Sequence, residues 1–366
     1  MKQSLLTVLI SVLLLYRSNI SAQDLSCANL INEVYNDAEI IKPNSTTNPT
    51  VNYAKPATQI PDVRYVDDFV SGGGSNHYCN TVTDCTDGSS NLMYNVYYPN
   101  IQYSDTKKLP AIILFHAGGF SDCTNFNTTN TNEMQTYCTE FAKRGFVAFN
   151  VEYRRGQEDD SLTKYTSASA MLAMYRAIQD AKGAIRTIVS RELNNVTPYR
   201  VDVQNIFIGG LSAGSIMAIE AGYYNSTMIN QVFPSISSYL GDINADYYLG
   251  NASESSYTIK GVLDLWGSAA VPLNFASNPA SFFSESSKKP GFIAFHGGCD
   301  GVIKIDSSYM YFPPSGDYYR SESLCINGTY TLLDNGATKG DLKLYGSLGL
   351  YGILKTSFNV PCELLD

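Results

Sequence analysis

The chain has 366 residues, 44% of them hydrophobic and 16% charged, with a formal net charge of −9. That composition is globular rather than disordered, and long enough for one large domain or two small ones. The acidic balance, with no basic run and no basic–aromatic patch, excludes a phosphate-backbone binder, whose affinity rests on clustered Lys and Arg. Nucleic acid is therefore not an expected partner.

Residues 1–22 read as a secretory signal. Lys2 supplies a positive start, Leu5 to Tyr16 is a mostly apolar stretch, and Ser21 and Ala22 offer a cleavage site before Gln23. The apolar run is about 12 residues, short of the roughly 20 that span a bilayer. That length weighs against a membrane anchor, and Asp24 ahead of Cys27 weighs against a lipoprotein anchor. The expected location is secreted, periplasmic or otherwise extracytoplasmic, with no membrane span after cleavage. Eight cysteines in an exported chain suggest disulfides. Cys79 and Cys85 are close in sequence, as are Cys123 and Cys138, while Cys27, Cys299, Cys325 and Cys362 remain. Spacing alone does not set the pairing. No Cys-x-x-Cys occurs and the three histidines are scattered, so neither a metal nor an organic cofactor is implied. Asn-x-Ser/Thr sequons start at Asn44, Asn127, Asn195, Asn225, Asn251 and Asn327.

In chain order, residues 23–60 form a polar leader rich in Asn, Thr and Pro. A strand is expected near Val63–Val70, followed by a loop with Gly72, Gly73 and Gly74, and another strand over Leu92–Tyr98. Ala111–Phe115 is a continuous apolar run, as expected of a strand buried on both faces, and Phe146–Val151 is a second. Helical spacing runs over 167–192. Asn205–Gly209 is a third buried strand, with a helix from Ala213. Ile259–Leu265, Phe292–Phe295 and Leu342–Tyr345 complete the strand set. Strands alternating with helices imply an α/β fold with a mostly parallel sheet and helices on both faces, as one domain over 23–366. Residues 225–257, rich in Tyr, Ser and Asn, read either as a cap inserted over the site or as an ordinary helix-containing connection.

Gly210-Leu211-Ser212-Ala213-Gly214 matches G-x-S-x-G and stands between an apolar strand and a helix, the context a nucleophile elbow requires. Such a turn lifts the serine Oγ above the sheet edge. Glycines two residues either side let neighbouring backbone approach without a Cβ clash. The helix that follows points its N-terminus, and so its positive dipole end, at the site. Upstream, His116-Ala117-Gly118-Gly119-Phe120 follows the Ile112–Phe115 strand. Small residues there let backbone N–H groups face a tetrahedral oxyanion. Gly118 and Gly119, with the N–H of Ala213, are the expected oxyanion hole, and Phe120 joins the pocket.

With these motifs the chain resembles the esterase/lipase branch of the α/β-hydrolase superfamily, whose oxyanion loop is HGGG-type; here Ala117 stands at the first glycine. Other segments match in order. Glu152-Tyr153-Arg154-Arg155 resembles the tyrosine–arginine turn of that branch. Asp180 to Arg186 resembles the helix before the elbow strand, and Val201 to Ile206 the start of that strand. His296-Gly297-Gly298-Cys299-Asp300-Gly301-Val302 resembles the H-G-x-x-D-x-x-V segment. The resemblance covers roughly residues 90–305 and implies the α/β-hydrolase fold, a Ser212 nucleophile and Asp300 as the triad acid that orients an imidazole. Asp264 is the alternative acid, read here as a loop or packing carboxylate near a strand end. His116 and His296 are expected to line the pocket as structural residues.

The proton acceptor is missing from its usual place. On this fold the triad order is Ser, then Asp or Glu, then His, yet no histidine follows Asp300. The only histidines are His77, His116 and His296, and His77 lies in a cysteine-flanked loop. After the expected last strand the family places His-Gly, and here Tyr351-Gly352 stands in that position. Three readings follow: a secreted carboxylic ester hydrolase with a weakened or rearranged triad, an inactive homologue that binds in the same cleft, and a peptidase of the same fold, which the HAGG loop disfavours. For the first, the partner is an ester substrate, either a small molecule or one linked to a polymer.

Overall fold

The computed structural model describes residues 33–44, 46–53, 92–120, 132–154, 167–234, 236–245 and 247–270, together with 272, 282, 286, 288 and 290–295, and the backbone of 308–310 and 324–328. The signal expected at 1–22, the strands expected at 63–70 and 342–345, and His77, His296, Asp300 and Tyr351 lie outside the described residues.

The central sheet is built from β1 (Ile40–Ile41), β2 (Val51–Asn52), β3 (Met93–Pro99), β4 (Leu109–Phe115), β5 (Val147–Val151), β6 (Val201–Leu211), β7 (Ile259–Leu265) and β9 (Gly291–Phe295). Its spatial order is β1-β3-β5-β4-β6-β7-β9, with β2 beside β3. From β5 through β4, β6 and β7 to β9 every pairing is parallel, whereas β3 runs antiparallel against β5. A separate three-stranded sheet joins β8 (Ser268–Ala270) to β11 (Leu324–Gly328) and β11 to β10 (Ser308–Met310), all antiparallel. The helices are α1 (Asn132–Lys143), α2 (Ser167–Leu193), α3 (Ala213–Tyr223), α4 (Ser226–Val232) and α5 (Ser237–Leu240).

The apolar runs of the sequence follow from where the core lies. Side chains alternate across a strand, so Ala111, Ile113 and Phe115 of β4 enter one core cluster with α2 and α3 residues. Ile112 and Leu114 enter the other, against Met134, Cys138 and Phe141 of α1. Burial on both faces turns alternation into continuous hydrophobicity. Helix α1 has no counterpart among the elements expected from sequence. Its apolar stripe is only Met134, Cys138, Phe141 and Ala142, set among polar residues, but the spacing is that of one helix face. Cys138 keeps a free, buried thiol that burial makes less acidic than an exposed one. In contrast, α3 is buried along its whole length, from Ala213 to Tyr223, because the sheet, α2 and β8 surround it.

The segment over 225–257 packs on α2. The Tyr175 hydroxyl donates to the Gly241 carbonyl, the Gln179 amide to those of Leu240 and Asp242, and Arg186 reaches Asn244 and Ala245.

A buried ion pair secures the turn after β5. The Arg154 backbone N–H and Nε both donate to the Asp180 carboxylate, at 2.7 and 3.0 Å, and the Tyr248 hydroxyl donates to the same carboxylate at 2.8 Å. Asp180 is fully buried and Arg154 nearly so. Removing one member of such a pair strands the other charge. Asp180→Ala is expected to lower stability by about 3 kcal/mol, read as a fall in the denaturant midpoint.

Candidate active site

Parallel register brings the site residues to one edge. Phe115 of β4 is opposite Gly210 of β6, Leu211 is opposite Leu265 of β7, and Leu265 is opposite Phe295 of β9. The chain leaving β4, β6 and β7 at that edge carries, in turn, His116–Gly119, Ser212 and Trp266. In parallel α/β sheets the crevice beyond the carboxyl ends of the strands is where ligands bind.

Ser212 caps α3 with φ 52° and ψ −116°, backbone that L-residues rarely adopt and that costs of order 1–3 kcal/mol. The residue is partly exposed, and its side chain makes no capping hydrogen bond. Of the four described non-glycine residues with positive φ, three are at this edge: Phe120, Ser212 and Trp266. The glycines of the pentapeptide are steric necessities. A Cβ on Gly210 would come within 2.3 Å of the Gly214 carbonyl carbon, and one on Gly214 within 2.2 Å of the Phe115 carbonyl oxygen and 2.5 Å of that of His116. The elbow and the His116–Gly119 loop are thus in direct backbone contact through Gly214. Gly214→Ala is expected to cost about 2 kcal/mol, within the range for overpacking, and to slow covalent labelling of Ser212. Thermal melting and labelling kinetics on one preparation check both.

The loop itself turns through Gly118 at φ 142° and Gly119 at φ 61°, conformations that favour glycine. Gly119 is exposed, with no described atom beyond its chain neighbours within 4 Å of an added Cβ, while Gly118 is buried. Phe120 is buried and meets Tyr153 edge-on in the core, its ring centroid 6.2 Å away. Ala213 is the first residue of α3, and helices leave the N–H groups of their first turn without intrahelical partners.

His116 is tied down rather than poised. Its Nδ1 is 2.6 Å from the Ala117 carbonyl oxygen and its Nε2 3.0 Å from Glu152 Oε1, with the side chain almost fully buried. Tyr153 stacks on the ring at 4.3 Å and its hydroxyl donates to the His116 carbonyl. With both ring nitrogens committed, His116 has no nitrogen available to take a proton from Ser212. The Glu152-Tyr153-Arg154 turn now has a physical role. Arg154 anchors it on Asp180, and Glu152 and Tyr153 clamp the histidine that begins the Gly118–Gly119 loop.

Asp264 lies on β7 with its side chain toward α3. Its Oδ1 accepts from the Ser215 hydroxyl at 2.5 Å and the Gly267 N–H at 2.6 Å. Sequence reasoning singled out Asp264 but missed Ser215, three residues after Ser212, and the Trp266–Gly267 turn, because the bonds that join them to Asp264 and Leu265 form between α3 and β7 and within the turn that follows it.

Deeper along α3, Glu220 is fully buried. Burial pushes its carboxyl up to about 8, against a single hydrogen bond from the Ala270 N–H. Among the described residues its Oε2 has no hydrogen-bond partner. A carboxyl raised on folding gives a contribution that is complete at low pH. That contribution declines as pH rises from the unfolded value near 4.5 through the folded value near 8. Glu220→Gln should therefore gain melting temperature relative to the parent as pH moves from 5 to 8. A difference that stays flat with pH would contradict a neutral Glu220.

This strand order, left-handed serine and glycine loop define an α/β-hydrolase of the esterase type. A family model described as BD-FAE matches residues 95–281, about half of the chain, and the chain belongs to that family. Among solved structures it is similar to an inhibited esterase B from Lactobacillus rhamnosis, at 18% identity over 50% of this chain and 45% of that one, with a TM-score of 0.32. It is similar to Thermogutta terrifontis esterase 2 phosphoramylated by tabun, at 19% identity over 60% and 70% of the two chains, TM-score 0.38. A bacterial heroin esterase matches at 14% identity over 63% of this chain and 46% of that one, TM-score 0.31. The chain thus spans less than half of the first of these proteins. No curated protein matches it. No helix among the described residues is long and apolar enough to cross a membrane.

Proposed function

We propose that the protein is a secreted serine hydrolase that cleaves carboxylic esters through an acyl-enzyme on Ser212. The observation that carries this reading is the left-handed Ser212 at the head of α3, in backbone contact through Gly214 with the His116–Gly119 loop. Ser212 Oγ attacks the ester carbonyl, and the N–H groups of Gly118, Gly119 and Ala213 receive the oxyanion. The alcohol leaves, and water then hydrolyses the acyl-serine. Asp300 is the orienting acid. The proton acceptor comes from an unusual position, since no histidine follows Asp300 and His116 is held by Glu152 and Ala117. The substrate is an ester of small or polymer-linked type, and His296 lines the pocket, whereas Phe120, expected there, is packed in the core against Tyr153.

The same two facts about histidine favour a second reading, an inactive homologue that keeps the cleft for binding. A fluorophosphonate probe separates them. Stoichiometric labelling of the purified protein together with p-nitrophenyl ester turnover supports the enzyme. Absence of both leaves the binding module.

A further inference from the structure

The bonds between β7 and the elbow form a closed circuit. The Ser212 N–H donates to the Leu265 carbonyl at 2.9 Å, and the Leu265 N–H donates to Ser215 Oγ at 3.1 Å. The Ser215 hydroxyl donates in turn to Asp264 Oδ1, which also takes the Gly267 N–H. Ser215 and Asp264 are both fully buried. Gly267 has no room for a side chain, because a Cβ there would lie 2.5 Å from Ser215 Cβ and 2.7 Å from Asp264 Oδ1. The turn over 264–267 closes so tightly that Trp266 is left at φ 47°, with its N–H on the Phe295 carbonyl at 2.8 Å. Ser212 and Trp266 are thus two left-handed residues leaving neighbouring strands at one edge, coupled through one hydroxyl and one carboxylate.

We infer that Ser215 and Asp264 are positioning residues, which hold the Ser212 elbow and the adjacent Trp266 turn in register for attack on substrate. This inference rests on Ser212 being the nucleophile. Within this circuit Asp264 acts as a hydrogen-bond acceptor, its Oδ1 taking the Ser215 hydroxyl and the Gly267 N–H. An amide oxygen at 264 can still accept those two bonds, whereas alanine at 264 or 215 leaves buried donors without partners.

Trp266 is the chain's single tryptophan, so its emission reports on this turn alone. The test measures the second-order rate of fluorophosphonate labelling and the tryptophan emission spectrum for Asp264→Asn, Asp264→Ala and Ser215→Ala, each first shown to melt cooperatively. The alanine variants are expected to label about 10- to 10²-fold more slowly, the cost of roughly an ångström of misplacement, with red-shifted emission. Asp264→Asn is expected to fall closer to the parent than Asp264→Ala in both. Two results overturn the inference: an asparagine variant that loses about 10⁴-fold, as a triad acid would, or alanine variants that change neither readout. If Asp264→Ala does not fold, Ser215→Ala decides. If the parent itself resists the probe, the nucleophile assignment fails and the emission comparison alone tests the circuit.

Discussion

Ser212→Ala is expected to abolish fluorophosphonate labelling and to lower p-nitrophenyl ester turnover by at least about 10³-fold. In serine proteases with a complete triad, removing the nucleophile costs about 2 × 10⁶ in kcat. The smaller figure follows from the proposed displacement of the proton acceptor, which leaves less to lose. What remains in the variant is the binding and oxyanion-hole contribution, which can still exceed the water reaction by about 10³- to 10⁴-fold. The same substitution should leave stability within about 0.5 kcal/mol. The Ser212 side chain makes no capping bond, and alanine meets the same left-handed backbone. A Ser212→Ala protein that keeps its turnover would remove the nucleophile from Ser212, and with it the acyl-enzyme.

The second large effect is a gain. Tyr351→His is expected to raise ester turnover by about 10²- to 10⁴-fold, the span of general acid–base catalysis. The reasoning starts from the expected last strand at Leu342–Tyr345 and the Tyr351-Gly352 pair that stands where the resembled family has His-Gly. A phenol titrates near 10 and is a poor base at neutral pH, whereas imidazole titrates near 6.5. A histidine at 351 would restore the order Ser, Asp, His with Asp300 as its partner. The gain should follow pH as a base does, rising through the imidazole pKa, and should vanish in a double variant with Ser212→Ala. A Tyr351→His protein that melts like the parent and shows no gain would mean that position 351 is not where the base belongs.

Much of the fold could be read from the chain. The apolar runs at 111–115, 146–151 and 205–209 become β4, β5 and β6, and the periodic stretch at 167–192 becomes α2. These succeed because burial on both faces leaves a local signal. Helix α1 and strand β8 do not, since four apolar residues in a polar helix and a three-residue strand carry little pattern of their own. The candidate site divides in the same way. Ser212, Gly118, Gly119 and Ala213 sit in short contiguous motifs, and the register of β4 and β6 brings them to one edge. His116, expected as a structural pocket residue, shows how: Glu152, 36 positions further on, holds its Nε2.

By itself the sequence determined the α/β class and the motifs at 116–120 and 210–214, because each is written in adjacent residues. Only the tertiary structure decided that His116 is committed to Glu152 and Ala117, and that Asp264 binds Ser215 and Gly267 beneath the elbow. Those facts depend on strand register and on buried polar groups finding partners, and partners 36 or 49 positions apart leave no trace in local sequence.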